Sequence, residues 1–513
     1  MKMTIRYTLS FFLALFLAVS CKDIDTLNLN NAGRNDVLAT GNDLFKVLDA
    51  GYASWWQGVH GPTPVIALSV AADALTLGRD DFGARRMSAE PRTAYNNRLA
   101  ENEVYRQIAE DPWYGCLSAA GSANDVIAAL SEGISSDKGG PQDESVLAAA
   151  HFLRGVSWGY LGLIFDRGLM VSEEDAPDIK ASFSSYREMG SAAVDELEEA
   201  ISIAESLGPD FIHTSFNGLT LDADHFVRLC HSYAARFLAQ WPRTEEENLE
   251  VDWAAVQAHA EGGLQENFAP LADGKRWQSY QQYAFAETGR GPFWARVDQR
   301  LVATLDRSQP PRYPEVEAQG EGPLPSPTAQ SNDQRLSSDF IFIPFNSFPV
   351  EAGEWHFSHY KHNRNQTEPD FAGDGQAAGP MPVFLAADNE LLKAEAMLWQ
   401  GHRTDAIAIL NAGSRAVRGA LPALPAGATE SEVRQAILYE RAIELLNTAP
   451  MGQWFDRRRS APRLDYTELD ALGGLQYGTP AQLPVPAREL QVHEEEPYNF
   501  GGEKDPEGVV PVY

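Results

Sequence analysis

Residues 388–418 read DNELLKAEAMLWQGHRTDAIAILNAGSRAVR, and their spacing decides the fold class. Leu391, Ala394 and Leu398 recur at three and four residues, the period of one helical face. Gly401 stops that helix, and a second begins near Thr404, carrying Ala406, Ile407 and Leu410. Helix, short turn and helix, with alanine at the packing points, predict a hairpin that buries one face.

Working outward, the same period returns. Asp222 is a good N-cap, Phe226, Leu229, Cys230, Tyr233 and Phe237 follow it, and Pro242 stops the run. Ala193, Leu197, Ile201 and Ala204 form another stripe, closed by Gly208–Pro209. Residues 146–165 predict a longer apolar helix. Thr429 and Glu432 form a capping box ahead of Val433, Ile437 and Leu445.

Breaker-rich tracts separate these helices. Residues 306–332 hold six prolines and predict a long loop, and aromatic-rich 339–362 predicts strand or loop. Residues 54–116 read as irregular, with Trp55, Trp56, Phe82, Tyr95, Trp113 and Tyr114 along them.

The 513 residues are 44% apolar, enough for a large core. Net charge is −31, which argues against nucleic acid and against a polybasic membrane patch as partners. The first 20 residues are a leader: Lys2 and Arg6, an apolar run from Leu9 to Val19, then Ser20–Cys21. Cys21 after that run looks like a lipid attachment site, although Leu17 lies one position earlier than the usual pattern. Lys22–Asp23–Ile24–Asp25 resembles the surface-export signal of Bacteroidota lipoproteins, and residues 21–42 suit a polar tether. Cys116 and Cys230 read as buried hydrophobes ahead of a disulfide.

Two motifs suggest chemistry and fail on context. Gly155-Val-Ser157-Trp-Gly159 matches a nucleophile elbow, which requires a strand, a tight turn and a helix. It lies inside a helical run, where small residues let helices approach. His356, His359 and His362 are three apart, but on a strand such residues face opposite ways. No catalytic residue, metal site or cofactor is expected.

Several blocks, in order, resemble the SusD/RagB family. They are the leader with Cys21 and Thr40–Leu44 opening a helix; Ala150–Arg154 through Tyr160, Leu163 and Phe165; Asn389–Ala396; and Ala406–Asn411 with Arg415 and Arg418. Tyr439–Leu445 with Gly452, Trp454–Asp456 and Arg457–Arg459 follow, then Leu483–Leu490. Asp166–Arg167–Gly168 stands where the family's helix usually ends in glycine. The carboxylates of Glu440 and Glu444, close to apolar Ile443 and Leu445, read as structural, with the arginines at 457–459 as expected partners.

The resemblance implies a mainly α fold of tetratricopeptide-like helix pairs, a SusD-like superhelical body with long irregular loops and few short strands. It divides the chain into the leader 1–20, the tether 21–42, an N-terminal helical region 43–300 carrying ligand-face loops, and a C-terminal region 301–513. It implies a surface lipoprotein of the outer membrane that binds a nutrient, an oligosaccharide above all, and passes it to a SusC-like TonB-dependent transporter. A surface glycoside hydrolase and a helical protein-binding scaffold are the alternatives. Aromatic rings stack on sugar C–H faces while polar groups take the hydroxyls. The ligand candidates are therefore Trp55, Trp56, Phe82, Trp113, Tyr114, Trp277, Tyr280 and Trp294, with Arg79, Asp80, Asp81, Arg92, Asn96 and Asn97. Core packing competes for each ring, because tryptophan is highly buried on average.

Overall fold

The computed structural model describes residues 41–78, 80, 83–98, 103–136, 139–173, 175, 181–273, 275–281, 295–315, 328–344, 353, 355–364 and 379–513. The leader and Cys21 lie outside them, as does the tether apart from residues 41 and 42. Helices carry most of the described chain. The major ones are α1 (Gly41–His60), α2 (Pro62–Ala71), α3 (Glu103–Ser131), α4 (Pro141–Ile164), α5 (Tyr186–Leu207) and α6 (Ala223–Gln240). There follow α7 (Trp253–Glu261), α8 (Ala386–Trp399), α9 (Arg403–Ala412), α10 (Glu430–Ile443) and α11 (Gly452–Ser460). Strands, among the described residues, occur as four antiparallel pairs of two or three residues, such as Phe340–Phe342 with Tyr360–His362.

The helix ends follow the sequence signals. Asp222 caps α6 by accepting from the His225 N–H, and Thr429 with Glu432 closes a full capping box on α10. Gly401, at φ +81°, ends the turn between α8 and α9. Leu391, Ala394 and Leu398 on α8 share one core with Ala406, Ile407 and Leu410 on α9 and with Val433 and Ile437 on α10. Cys116 and Cys230 are both free and buried.

Gly155, Ser157 and Gly159 sit inside α4. A Cβ at Gly155 would meet the Ala193 carbonyl of α5 at 3.0 Å, and one at Gly159 would strike the Phe237 ring of α6 at 2.3 Å. The Ser157 hydroxyl donates back to the Leu153 carbonyl at 2.7 Å. The glycines therefore bring helices together, and the serine is occupied.

Residues 54–116 depart from expectation. They are not irregular: α1, α2 and α3 run through most of the described part. Pro62 begins α2, where its missing N–H leaves no bond unmade. Pro112 is held inside the 29-residue α3, a position that ordinarily breaks a helix. Residues 40–513 cluster as one compact unit, and the boundary expected at 300/301 falls within the helix Gln299–Leu305.

The charged C-terminal block is structural, but its pairing differs from expectation. Glu440 and Glu444 do not meet the arginines at 457–459. Both reach Arg335, whose Nη1 lies 2.8 Å from Glu440 and 3.1 Å from Glu444. Arg364 and Arg418 also bind Glu444, and Arg335 holds Asp333 at 2.7 Å. Arg459 instead pairs with Glu395, and Arg441 joins Asp388 to Asp456. Arg458 donates to the carbonyls of Leu163, Gln240, Pro242 and Ala481.

Candidate functional site

Helices α1 and α3 cross with their backbones in contact. A Cβ at Gly115 would lie 2.8 Å from the Gly58 Cα and 2.9 Å from the Ser54 carbonyl. Only glycine permits that approach, and it leaves an open cleft of about 560 Å³ on one side of the crossing. The volume falls within the range of small-molecule sites, about 300–1,000 Å³. Glu103, Gln107, Glu110, Asp111, Tyr114 and Ser118 line the α3 side, at a helical spacing that forms one face. Ser54, Gln57 and Gly58 line the opposing α1 side, Gly61, Pro62 and Thr63 follow at the start of α2, and Gln278 and Arg488 complete the lining.

The segment 276–280, which brings Gln278 to the cleft, is pinned to α1. The Trp56 indole donates to the Gln278 carbonyl at 2.8 Å, and the Gln57 amide donates to the Arg276 carbonyl at 3.0 Å. The rings of Trp56 and Trp277 lie 4.9 Å apart. Tyr114 is 39% exposed, an aromatic surface beside the amide and carboxylate groups. Burial, then the Glu110 charge, pushes the Asp111 carboxyl up to about 6. Burial, then the charges of Glu489 and Glu110, raises the Tyr114 hydroxyl to about 12, so it stays a donor at neutral pH.

The expected ligand residues divide into three groups. Trp55, Trp56 and Trp113 are fully buried, Trp277 is 6% exposed and Tyr280 1%. Trp55 packs edge-on to Tyr233 and Trp113 edge-on to Phe165, so these rings serve the core rather than a ligand face. For Trp55, Trp56 and Trp113 the reason is that these stretches are helical, and on amphipathic helices the large rings turn inward. Arg92 is buried on Asp73, and Asn97 is fixed by the Val485 carbonyl and the Ala487 N–H. Asn96 is half-buried, its side-chain oxygen accepting from the Arg98 N–H. Arg79, Asp81, Phe82 and Trp294 lie outside the described residues. Of the rings singled out, Tyr114 reaches the cleft. Gln57, Gln107, Glu110 and Asp111 were missed, although a helical reading of 103–118 puts the α3 set on one face.

Among the described residues, Asp73, Asp298 and His356 are a cluster of three potential metal ligands. They do not fit a cation. Asp73 already binds Arg92 and Arg300, at 2.5 and 2.8 Å. The His356 imidazole bridges Asp298 at 2.8 Å and Glu90 at 2.9 Å. Burial opposes its charge, but Asp298, Glu90 and Asp73 outweigh burial and hold it up at about 10. Both its nitrogens are then protonated donors with no lone pair to offer. His362 lies apart, buried near Asn447, so the three histidines do not converge.

Two further cavities lie elsewhere among the described residues. One of about 460 Å³ is lined by Phe45, Leu48, Val146 and Ile212 together with Gln142, Ser145, Asp210 and His213. The other, about 500 Å³, borders Arg364 and Arg418, both paired with Glu444, and Glu440, paired with Arg335.

Residues 271–500 match the model of the SusD family. No curated protein sequence matches the chain. A SusD superfamily protein from Parabacteroides distasonis superposes with a TM-score of 0.60 at 12% identity, covering 88% of this chain and 97% of that one. One from Bacteroides thetaiotaomicron gives 0.58 at 13%, covering 89% and 98%. A SusD-like carbohydrate binding protein from Bacteroides vulgatus gives 0.56 at 14%, covering 82% and 83%. At such identities the superpositions show a shared fold.

Proposed function

We propose that this chain, which belongs over residues 271–500 to the SusD family, is a surface lipoprotein that binds an oligosaccharide without cleaving it and delivers it to a SusC-like TonB-dependent transporter. The observation that carries the binding half is the cleft between α1 and α3. It offers an exposed ring beside three primary amides and three carboxylates, a combination that takes a sugar's C–H face and its hydroxyls together. The naming of the Bacteroides vulgatus neighbour as carbohydrate binding points the same way.

Attachment at the outer membrane, facing outward, rests on the leader and Cys21. No described helix is long and apolar enough to cross a membrane. A diacylated or triacylated cysteine supplies anchoring of about 0.8 kcal/mol per buried CH₂. Delivery to a transporter rests on the family.

Isothermal titration of the soluble chain against oligosaccharide and peptide panels tests the binding half. Saturable binding to oligosaccharides is expected; binding to peptides alone would favour the protein-binding scaffold. Release of reducing ends from any polysaccharide would overturn the non-enzymatic reading. Co-purification of the lipidated protein with a TonB-dependent barrel from its own membrane tests the partner, and its absence would remove that claim.

A further inference from the structure

The cleft is a site by its shape and its amides; its carboxylates set its sign. Glu103, Glu110 and Asp111 line it, and the cationic group facing them is Arg488. That guanidinium is already drawn to Glu110, 3.5 Å away. Arg106 stands 3.8 Å from the other Glu110 oxygen. Among the described residues, no arginine or lysine forms an ion pair with Glu103 or Asp111. A cleft lined by one sign of charge between low-dielectric walls focuses its field on whatever enters.

Ionised carboxylates accept hydrogen bonds and cannot donate them. They fit the hydroxyl pairs of an uncharged sugar. Against the carboxylate of a uronic acid they offer repulsion and no donor. Gln107, and the Gln57 amide hydrogen not given to the Arg276 carbonyl, can donate to ring and glycosidic oxygens, but neither supplies a countercharge.

We infer that the α1–α3 cleft selects by charge, taking uncharged hexose oligosaccharides and refusing the uronic-acid oligomers that differ from them only in carrying a carboxylate. The inference rests on the binding half of the proposed function. The chain's overall charge of −31 is spread over 513 residues and predicts only a general, salt-screened aversion to anions. Selection in the cleft predicts instead that the discrimination moves with particular side chains.

The test uses matched pairs on the soluble full chain: gluco-, galacto- and manno-oligosaccharides against oligomers of glucuronic, galacturonic and mannuronic acid. The expected result is at least tenfold tighter binding of one neutral oligomer than of its acid counterpart. Glu103→Gln with Asp111→Asn should shrink that ratio severalfold, while Asp195→Asn and Glu199→Gln, on the exposed side of α5, leave it unchanged. Equal or tighter binding of the uronic-acid oligomer, still weakened by Tyr114→Ala, would overturn charge selection while leaving the cleft as the site. Binding of either series that ignores both Tyr114→Ala and Gln57→Ala would place the ligand elsewhere, and the cleft assignment would fall with the inference. A ratio unmoved by the double variant but abolished by salt would trace the preference to overall charge, also overturning it.

Discussion

Two regions hold carboxylates on helical faces and use them oppositely. Glu440, Glu444, Asp333 and Asp339, four carboxylates, meet the guanidiniums of Arg335, Arg364 and Arg418. Ser414 and Tyr439 fill remaining acceptor positions at 2.6 and 2.7 Å. Around Glu110 and Asp111, carboxylates face an open cleft and Arg488 is half in solvent. Buried charge needs a partner for every lone pair, because desolvation otherwise costs several kcal/mol. Charge on an open wall can leave its pairing to water or to a ligand. Dry, saturated carboxylates therefore serve cohesion, whereas the proposed recognition draws on Glu103 and Asp111, which form no ion pair among the described residues.

The contrast breaks most easily at Arg335. Arg335→Ala leaves Asp333, Glu440 and Glu444 without their shared partner in a dry site. Chemical denaturation should show a loss of about 3–5 kcal/mol, the range for breaking a buried pair. A loss under about 1 kcal/mol, typical of exposed pairs, would erase the distinction.

A second buried network sharpens it through pH. His356, held up at about 10, has an unfolded value near 6.5. Its folded value is the higher one, so its contribution is complete below about pH 6.5 and is lost as pH rises through 10. The loss has a slope of at most about 1.4 kcal/mol per pH unit for one proton. Unfolding midpoints of the parent chain should fall toward those of His356→Gln between pH 7 and 10. Parallel curves would show an uncharged imidazole.

The glycine crossing under the cleft gives a smaller effect. Gly115→Ala forces α1 and α3 apart, because the new methyl meets backbone rather than a side chain. The expected cost is about 1–3 kcal/mol, in line with overpacking elsewhere, together with weaker oligosaccharide binding. Full stability in the alanine variant would mean the helices do not rest on one another there.

Smallest in stability is the cleft wall itself. Tyr114→Ala should shift the unfolding free energy by no more than about 0.5 kcal/mol, as for other surface changes. It should weaken oligosaccharide binding about tenfold, which is about 1.4 kcal/mol. Calorimetry and denaturation of one variant separate the two.

Much of the helical body was legible because its signals are local. Asp222, Gly401 and the Thr429–Glu432 pair act within a turn of themselves, and period-three-and-four stripes need no distant partner. The same habit misled at residues 54–116, where prolines and glycines looked like breakers. Pro62 opens a helix, Pro112 is tolerated inside one, and Gly58 and Gly115 are small because two backbones touch. With those helices misread, buried tryptophans passed for loop aromatics, and the polar face of α3 went unnoticed.

The sequence by itself determined the helical class, the hairpin core of residues 386–443, the inert Gly155–Gly159 motif and the resemblance to the SusD family. Tertiary structure alone decided which arginine meets which carboxylate, since Arg335 lies 105 residues from Glu440. It also decided that Gln57 and Asp111 share a cleft. Local order follows from hydrogen bonds and periodicity within a few residues, whereas ion pairing and cleft shape depend on contacts that exist only once distant helices have packed.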